Sequence, residues 1–322
     1  MIDFRYHVVS LVSVFMALAI GLALGAGALR GPASDALTSQ VAGLREDKAN
    51  LQLAVENRDA QIADQEQAIA ALSSAGVADT LTDRSVAVIV LPGTDSAGPA
   101  RMSELLESAG ATTVSTVSIA PTWTRPSAEN ARAGALAELA DEAAAVGVDS
   151  AGSQANQLAE LLAYAVVGTS GGERDANGSA IISTLSAAGL ITVAEDSPRL
   201  ANLALVLVAG ATNGAAGSDS EWQAAELSAD QALVTALDDT GSGTVVVGPP
   251  ESDAEGGLIA ALRSGGGGIS TVDDADTDLA APALVLALAE QDRGRSGHYG
   301  TGVDATSVVP SLQPDTSSTQ TP

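Results

Sequence analysis

One stretch constrains this chain more than any other: HVVSLVSVFMALAIGLALGAGALRG, His7 to Gly31. From Val8 to Leu29 no residue is charged. A helix of ~20 such residues crosses the ~30 Å hydrocarbon core of a bilayer. A buried helix of a soluble protein is rarely apolar on every side. A cleaved signal peptide is the closer competitor. Arg5 supplies a short basic region, and Ala26-Gly27-Ala28 supplies a small-x-small cleavage pattern. The apolar run, however, is longer than the ~7–15 residues usual for a signal sequence. Residues 1–31 therefore read as an uncleaved transmembrane anchor, with residues 8–29 in contact with lipid. With no cysteine in the chain, lipid attachment at a cysteine is excluded.

The next segment supports a tether. Leu37, Val41, Leu44, Lys48, Leu51, Val55, Arg58, Ile62, Gln65, Ile69 and Leu72 follow one another in alternating steps of four and three. That is a heptad repeat. Val41, Val55, Ile62 and Ile69 fall at a, and Leu37, Leu44, Leu51 and Leu72 at d. β-Branched residues at a with Leu at d favour a parallel two-stranded coil, and Lys48 at a is a polar register device. Arg58 and Gln65 at d weaken the centre. The simpler reading is a single amphipathic helix packed along its own domain, but the strict 3.5-residue period argues for a partner helix. Residues 35–75 are thus expected to form a coiled coil joining a parallel homo-oligomer. Ala17, Gly21 and Gly25 would then make a small-xxx-small row suited to close contact between paired anchors.

Charge narrows the partners. The 322 residues carry a net charge of −26, which argues against nucleic acid and against an anionic membrane surface. Without cysteine there is no disulfide, thiolate nucleophile or thiolate metal site.

From Arg84 onward, short apolar runs alternate with amphipathic stretches. SVAVIVLPG, ATTVSTVSI, LITVA, LALVLVAG, GTVVVGPP and GISTV read as strands. SAGPARMSELLESAG, residues 127–147 and 154–167, SAIISTLSAAG, SADQALVTALDD, EGGLIAALRSGG and LAAPALVLALAEQ read as helices, the last with Pro282 in or near its first turn. Continuous Val and Ile runs between helices predict a mainly parallel sheet covered on both faces. The expected fold class is α/β: an N-terminal transmembrane helix, a coiled-coil helix, then an α/β sandwich over residues 84–300. A Ser-, Thr- and Pro-rich tail, residues 301–322, reads as disordered.

Candidate chemistry in this domain is sparse. GTSGG (Gly168–Gly172) matches G-x-S-x-G with Ser170 in the nucleophile position, but a nucleophile elbow joins a strand to a helix. Here a helical pattern precedes the motif and a polar loop follows. LPGTDSAG lacks both G-x-G-x-x-G and the Walker lysine. The loops after LPG, VAG and VGPP are expected at the carboxyl ends of parallel strands, where ligands bind in such sheets. Asp274, Asp276 and Asp278 have D-x-D-x-D spacing and are the candidates for a weak divalent-cation site. An EF-hand would need Gly at Leu279 and Glu at Val285. The competing reading is a solvated loop whose Asp278 caps the last helix. The chain reads as a non-enzyme with no resident cofactor.

Two segments resemble a known family. The opening FRYHVVSLVSVFMALAIGLALGAG and the closing STVDDADTDLAAPALVLALAEQDRGRSGHYG (Ser270–Gly300) resemble the MctB family, the copper-transport outer-membrane proteins of mycobacteria and their relatives. The layout of anchor, coiled coil and α/β domain agrees. The resemblance implies a pore-forming envelope protein that exports copper across an outer membrane. The residues themselves do not spell out that role. Copper favours Cys, Met and His, and the candidates here, His7, His298, Met1, Met16 and Met102, include no two at ligand spacing. A porin-type barrel needs alternating strands and aromatic girdles, yet only 2% of residues are aromatic. A pore would therefore have to come from helix oligomers. The expected function is copper efflux in the cell envelope, with a single-pass topology and the head outside the cytoplasm. The alternative is a membrane-tethered coiled-coil dimer whose non-catalytic head binds an envelope partner.

Overall fold

The computed structural model describes residues 4–28, 32–210, 220–275, 277 and 280–311. The chain divides into two units, residues 1–67 and 68–322.

In the first unit, helix α1 (Phe4–Ala28) contains the apolar run, and Phe4–Gly25 within it is long and apolar enough to cross a membrane. The few polar side chains of this stretch can be satisfied locally: the Ser13 hydroxyl donates to the Val9 carbonyl at 2.8 Å. Helix α2 (Pro32–Val77) begins here and runs unbroken through the heptad region into the second unit. Leu37, Leu44, Leu51, Val55 and Ile62 on it are all exposed.

The second unit begins within the last turns of α2. Val77 and the following Leu81 are buried. Strand β1 (Ser85–Val90), helix α3 (Gly98–Ser108) and strand β2 (Thr112–Ile119) come next. Pro99 occupies the first turn of α3. Gly110, in the left-handed region at φ +86°, turns the chain out of it while Ala111 N–H donates back to the Leu106 carbonyl. Helices α4 (Glu129–Glu138), α5 (Ala140–Val146) and α6 (Gln154–Val166) follow, the last capped by the Ser153 hydroxyl. Short strand β3 (Gly172–Glu173) leads into α7 (Ala176–Ala187), capped by Asp175. Strands β4 (Ile191–Asp196), β5 (Arg199–Leu200) and β6 (Leu203–Leu207) precede helix α8 (Ser220–Thr240). The chain continues through β7 (Thr244–Val247), α9 (Leu258–Gly265), β8 (Ser270–Val272), α10 (Ala280–Gln291) and β9 (His298–Tyr299).

Seven strands make one sheet in the order β4-β2-β1-β6-β7-β8-β9, and β3 pairs with β5 separately. All neighbours in the large sheet are parallel except β2 and β4. Side chains along a strand alternate between faces, and both sets are apolar here. Ala87 and Ile89 of β1 face a core closed by α4 to α9, while Val86, Val88 and Val90 face a second core with α3 and α10. That two-sided burial is why the strands read as continuous apolar runs. Pro282 sits in the first turn of α10, where its missing N–H costs no helical bond.

Three details depart from a simple strand-helix alternation. LITVA joins the sheet as an antiparallel edge, helix α8 begins before SADQALVTALDD, and GHYG supplies a further edge strand, β9.

Candidate functional site

From β1 the chain builds β2 and β4 on one side, then returns to place β6 on the other side of β1. The carboxyl ends of β1 and β6 therefore flank a topological switch point. A cleft of about 400 Å3 opens there, with Gly93, Thr94, Arg101, Met102 and Gly210 in its wall. Gly93 is required by the turn: its φ is +85°, and a Cβ would stand 3.2 Å from that of Ala209. The Thr94 hydroxyl donates to the carbonyls of Leu91 and Leu207, tying the two strand ends together at 2.8 and 3.2 Å. Arg101 pairs with Asp95 at 3.0 Å, both well exposed. Thr94 and Asp95 of the loop after LPG, Gly210 at the end of VAG and Pro249 of VGPP contribute to this wall; residues 211–219, after VAG, lie outside the described residues.

A second cavity, about 110 Å3, lies at the carboxyl ends of the same two strands and is lined by Glu226 and Asp230 of α8. These carboxylates stand four residues apart on one helical face. Burial and then the neighbouring Glu226 charge push the Asp230 carboxyl up to about 7. Burial raises Glu226 as well, against the opposing charge of Arg125.

The densest polar arrangement is buried under the closing segment. The Arg263 guanidinium, on α9, lies 2.8 Å from Asp253 and 2.7 Å from Asp273; its side chain is 2% exposed and that of Asp273 0%. Arg263 Nε donates to Thr271 Oγ1 at 3.0 Å, and its other amino group to the Tyr299 carbonyl at 2.9 Å. Asp273 also accepts from the backbone N–H groups of Thr301 and Gly302, at 2.8 to 3.2 Å. A Cβ at Gly300 would overlap Asp273, and one at Gly302 would overlap both carboxylates, so glycine lets the loop close over them. Thr271 Oγ1 also lies 3.1 Å from His298 Nδ1, a hydrogen bond whose donor is set by the imidazole tautomer. Burial and the Arg263 charge hold the His298 pKa below its usual value, with Asp253 opposing. Burial raises the Asp253 carboxyl, and the Asp273 charge adds to this, against the pull of Arg263. The Tyr299 hydroxyl donates to Glu290, which together with burial raises the phenol.

Two carboxylates that could face a metal ion thus face a guanidinium instead. Among the described residues no group of three or more His, Cys, Asp or Glu is placed to hold a metal. Of the D-x-D-x-D candidates, Asp274 is fully buried, and its carbonyl accepts from the Thr277 backbone and hydroxyl at 2.9 and 3.0 Å. Asp276 and Asp278, and with them the proposed helix cap, lie outside the described residues. The carboxylate that meets a cation is the neighbouring Asp273, which the sequence pattern passed over. The readable signal was Arg263, a cation within the apolar helix LIAALRSG. Ser170 is exposed in a turn between α6 and β3, not between a strand and a helix, so the elbow geometry is missing. His7 and Met16 lie on α1, Met102 on α3 and His298 on β9.

The family model described as "Copper transport outer membrane protein, MctB" matches residues 1–310. The chain belongs to the MctB family. The match runs from α1 through the Arg263 cluster and Gly302, so both the helical first unit and the sheet unit are MctB features. Curated MctB relatives named "Copper transporter MctB" agree with it over nearly their full length. Those of Mycobacterium tuberculosis (strain ATCC 25618 / H37Rv) and Mycobacterium bovis are 29% identical over 330 residues, covering 96% of this chain and 99% of theirs. The Mycobacterium leprae relative is 29% identical over 329 residues with the same coverage. These relatives are named as transporters, not enzymes.

Proposed function

We propose that this protein takes part in copper transport in the cell envelope, with copper as the exported cargo and no resident cofactor. The observation that carries the reading is end-to-end similarity to the curated copper transporters, which spans anchor, tether and head together. In this reading α1 stays in the membrane as a single span, the N-terminus lies inside, and the non-catalytic head lies outside the cytoplasm. The family description favours the outer membrane. The large sheet is an open one with helices on both faces, so its strands are not available as the wall of a barrel. A path through the membrane is then built from α1 helices of several copies, and the protein works as a homo-oligomer held by its coiled-coil tether.

The test is a deletion strain grown in rising copper, with cell copper measured by mass spectrometry. Deletion should raise cell copper and sensitivity, and the full chain should restore both. A chain lacking residues 4–28, routed outside by a cleavable signal, should not. Unchanged copper content on deletion would overturn the reading. Separation of inner and outer membranes then locates the restored protein.

A further inference from the structure

We propose that α2 forms a parallel, in-register homodimer in which Lys48 pairs with the partner's Asp47 and Arg58 with the partner's Asp59. The inference rests on the reading of α1 as a membrane anchor and specifies the oligomer it belongs to.

The apolar stripe of α2 is the starting point, on a helix exposed nearly all round between residues 37 and 65. Leu44, Leu51 and Ile62 are 63%, 67% and 50% exposed, and Leu37 and Val55 are comparably open. Leu37, Leu44 and Leu51 recur every seven residues, and Val55 and Ile62 continue the repeat on the alternate position, along a 46-residue helix. A straight helix drifts about 20° per heptad against such a repeat, so over five heptads the stripe turns by about 100°. No flat surface can cover a stripe that winds in this way. A second helix supercoiled around the first can, which selects a helical partner with the same period.

The anchor selects the partner's direction. Three residues separate the end of α1 at Ala28 from the start of α2 at Pro32, a reach of at most about 10 Å. The α2 rod is about 70 Å long. An antiparallel pair would carry its two anchors to opposite ends of that rod, which a single bilayer does not accommodate when the rod stands away from it. A parallel pair puts both anchors at one end.

Charge selects the register. In a parallel coil an a residue packs beside the partner's g residue, and a d residue beside the partner's e residue. Lys48 at a therefore meets the partner's Asp47 at g. Arg58 at d meets the partner's Asp59 at e. Each cation that interrupts the seam is matched by an acid one position away in sequence, which offsets the stacking of Lys48 on the partner's Lys48 and of Arg58 on the partner's Arg58; the remaining layers but Gln65 set apolar against apolar. The full-length antiparallel alignment also opposes cations, Lys48 with the partner's Arg58, twice, so charge opposition alone does not choose between the two directions. It also sets Val41 against the partner's Gln65. In the parallel dimer the two α1 helices start side by side, where Gly21 and Gly25 leave room for close approach.

The chain has no cysteine, so single cysteines report contacts cleanly. Leu44→Cys and Ile62→Cys are introduced separately into the full-length chain in native membranes and oxidised. Each should give a disulfide-linked dimer. In the antiparallel alignment the two copies of position 44 lie about 27 Å apart, and a link forms only when the two variants are mixed. Lys48→Glu should reduce the link at position 62 several-fold, and adding Asp47→Lys should restore it. Links found only in the mixed pair, or a membrane-bound protein with no link at either site, would overturn the proposal. A Lys48→Glu variant that links as well as the parent would overturn the register assignment. Membrane fractionation of the same samples separates the two layers of the argument: a protein found in the soluble fraction means the anchor reading failed, not the seam.

Discussion

Replacing Arg263 tests the account of the closing segment most directly. In Arg263→Ala the carboxylates of Asp253 and Asp273 stay buried and lose the one guanidinium they share. Breaking a buried pair in this way costs about 3–5 kcal/mol. For a unit of this size that corresponds to a fall of roughly 6–20 °C in Tm, at about 2–4 °C per kcal/mol. The two carboxylates should not suffer equally. Asp273 keeps its backbone N–H donors from Thr301 and Gly302 and can stay charged. Asp253, whose carboxyl burial already raises, should take up a proton instead. A carboxyl whose folded pKa lies above its unfolded value stabilises the fold at low pH and loses that contribution as pH rises. The Arg263→Ala penalty should therefore be larger at pH 8 than at pH 5, and Asp253→Asn in the same background should recover part of it. Arg263→Lys keeps the charge but cannot reach Thr271, Tyr299 and both carboxylates together, and should cost less, about 1–3 kcal/mol. Thermal unfolding followed by circular dichroism measures all three variants against the parent. A Tm shift under about 2 °C for Arg263→Ala, or no recovery with Asp253→Asn, would refute the reasoning.

Three further outcomes are expected. The Asp230 carboxyl rises from 3.8 to about 7 on folding, so its contribution favours the fold at low pH and is lost as pH rises from about 4 to 7. Asp230→Asn should flatten that part of the stability profile in urea titrations, and an unchanged profile would count against the buried acid. The detergent-solubilised protein should bind Cu(I) no more tightly than a generic acidic surface, because it has no cysteine and no paired Met or His ligands. A stoichiometric, sub-micromolar site in competition titrations would contradict this. Protease added to cells with their outermost layer opened should remove the head, and full protection would reverse the proposed orientation.

The cluster also gives a physical reason for the shape of the closing segment. Ser270, Gln291 and Gly297 are joined by hydrogen bonds through the Ser270 hydroxyl, Tyr299 reaches back to Glu290, and Gly302 closes over Asp253 and Asp273. Each partner is buried or lies in a tight loop, so most substitutions there leave a polar group unpaired. Ser270, Asp273, Glu290, Gln291, Gly297, Tyr299 and Gly302 are constrained by packing and pairing in the head.

What the sequence determined by itself was everything carried by short-range periodicity. An uncharged run of bilayer length identifies α1, a 3.5-residue repeat identifies the apolar stripe of α2, and continuous apolar runs identify β1, β6 and β7 as strands buried on both faces. Even the cleft was legible in outline, because loops after parallel strands gather at one edge of the sheet. Only the tertiary structure decided the strand order, the antiparallel edge at β4, and which charges meet. Asp253, Arg263, Asp273, His298 and Tyr299 share neither a helical nor a strand spacing. They come together because β7, β8 and β9 lie side by side and α9 packs across β8. Asp273 and Asp274 look equivalent in the sequence, yet the chain leaving β8 turns the Asp273 side chain toward the guanidinium. Local pattern records which face of an element is apolar. It holds no record of which buried cation a carboxylate will find, since that depends on the path of the chain between them.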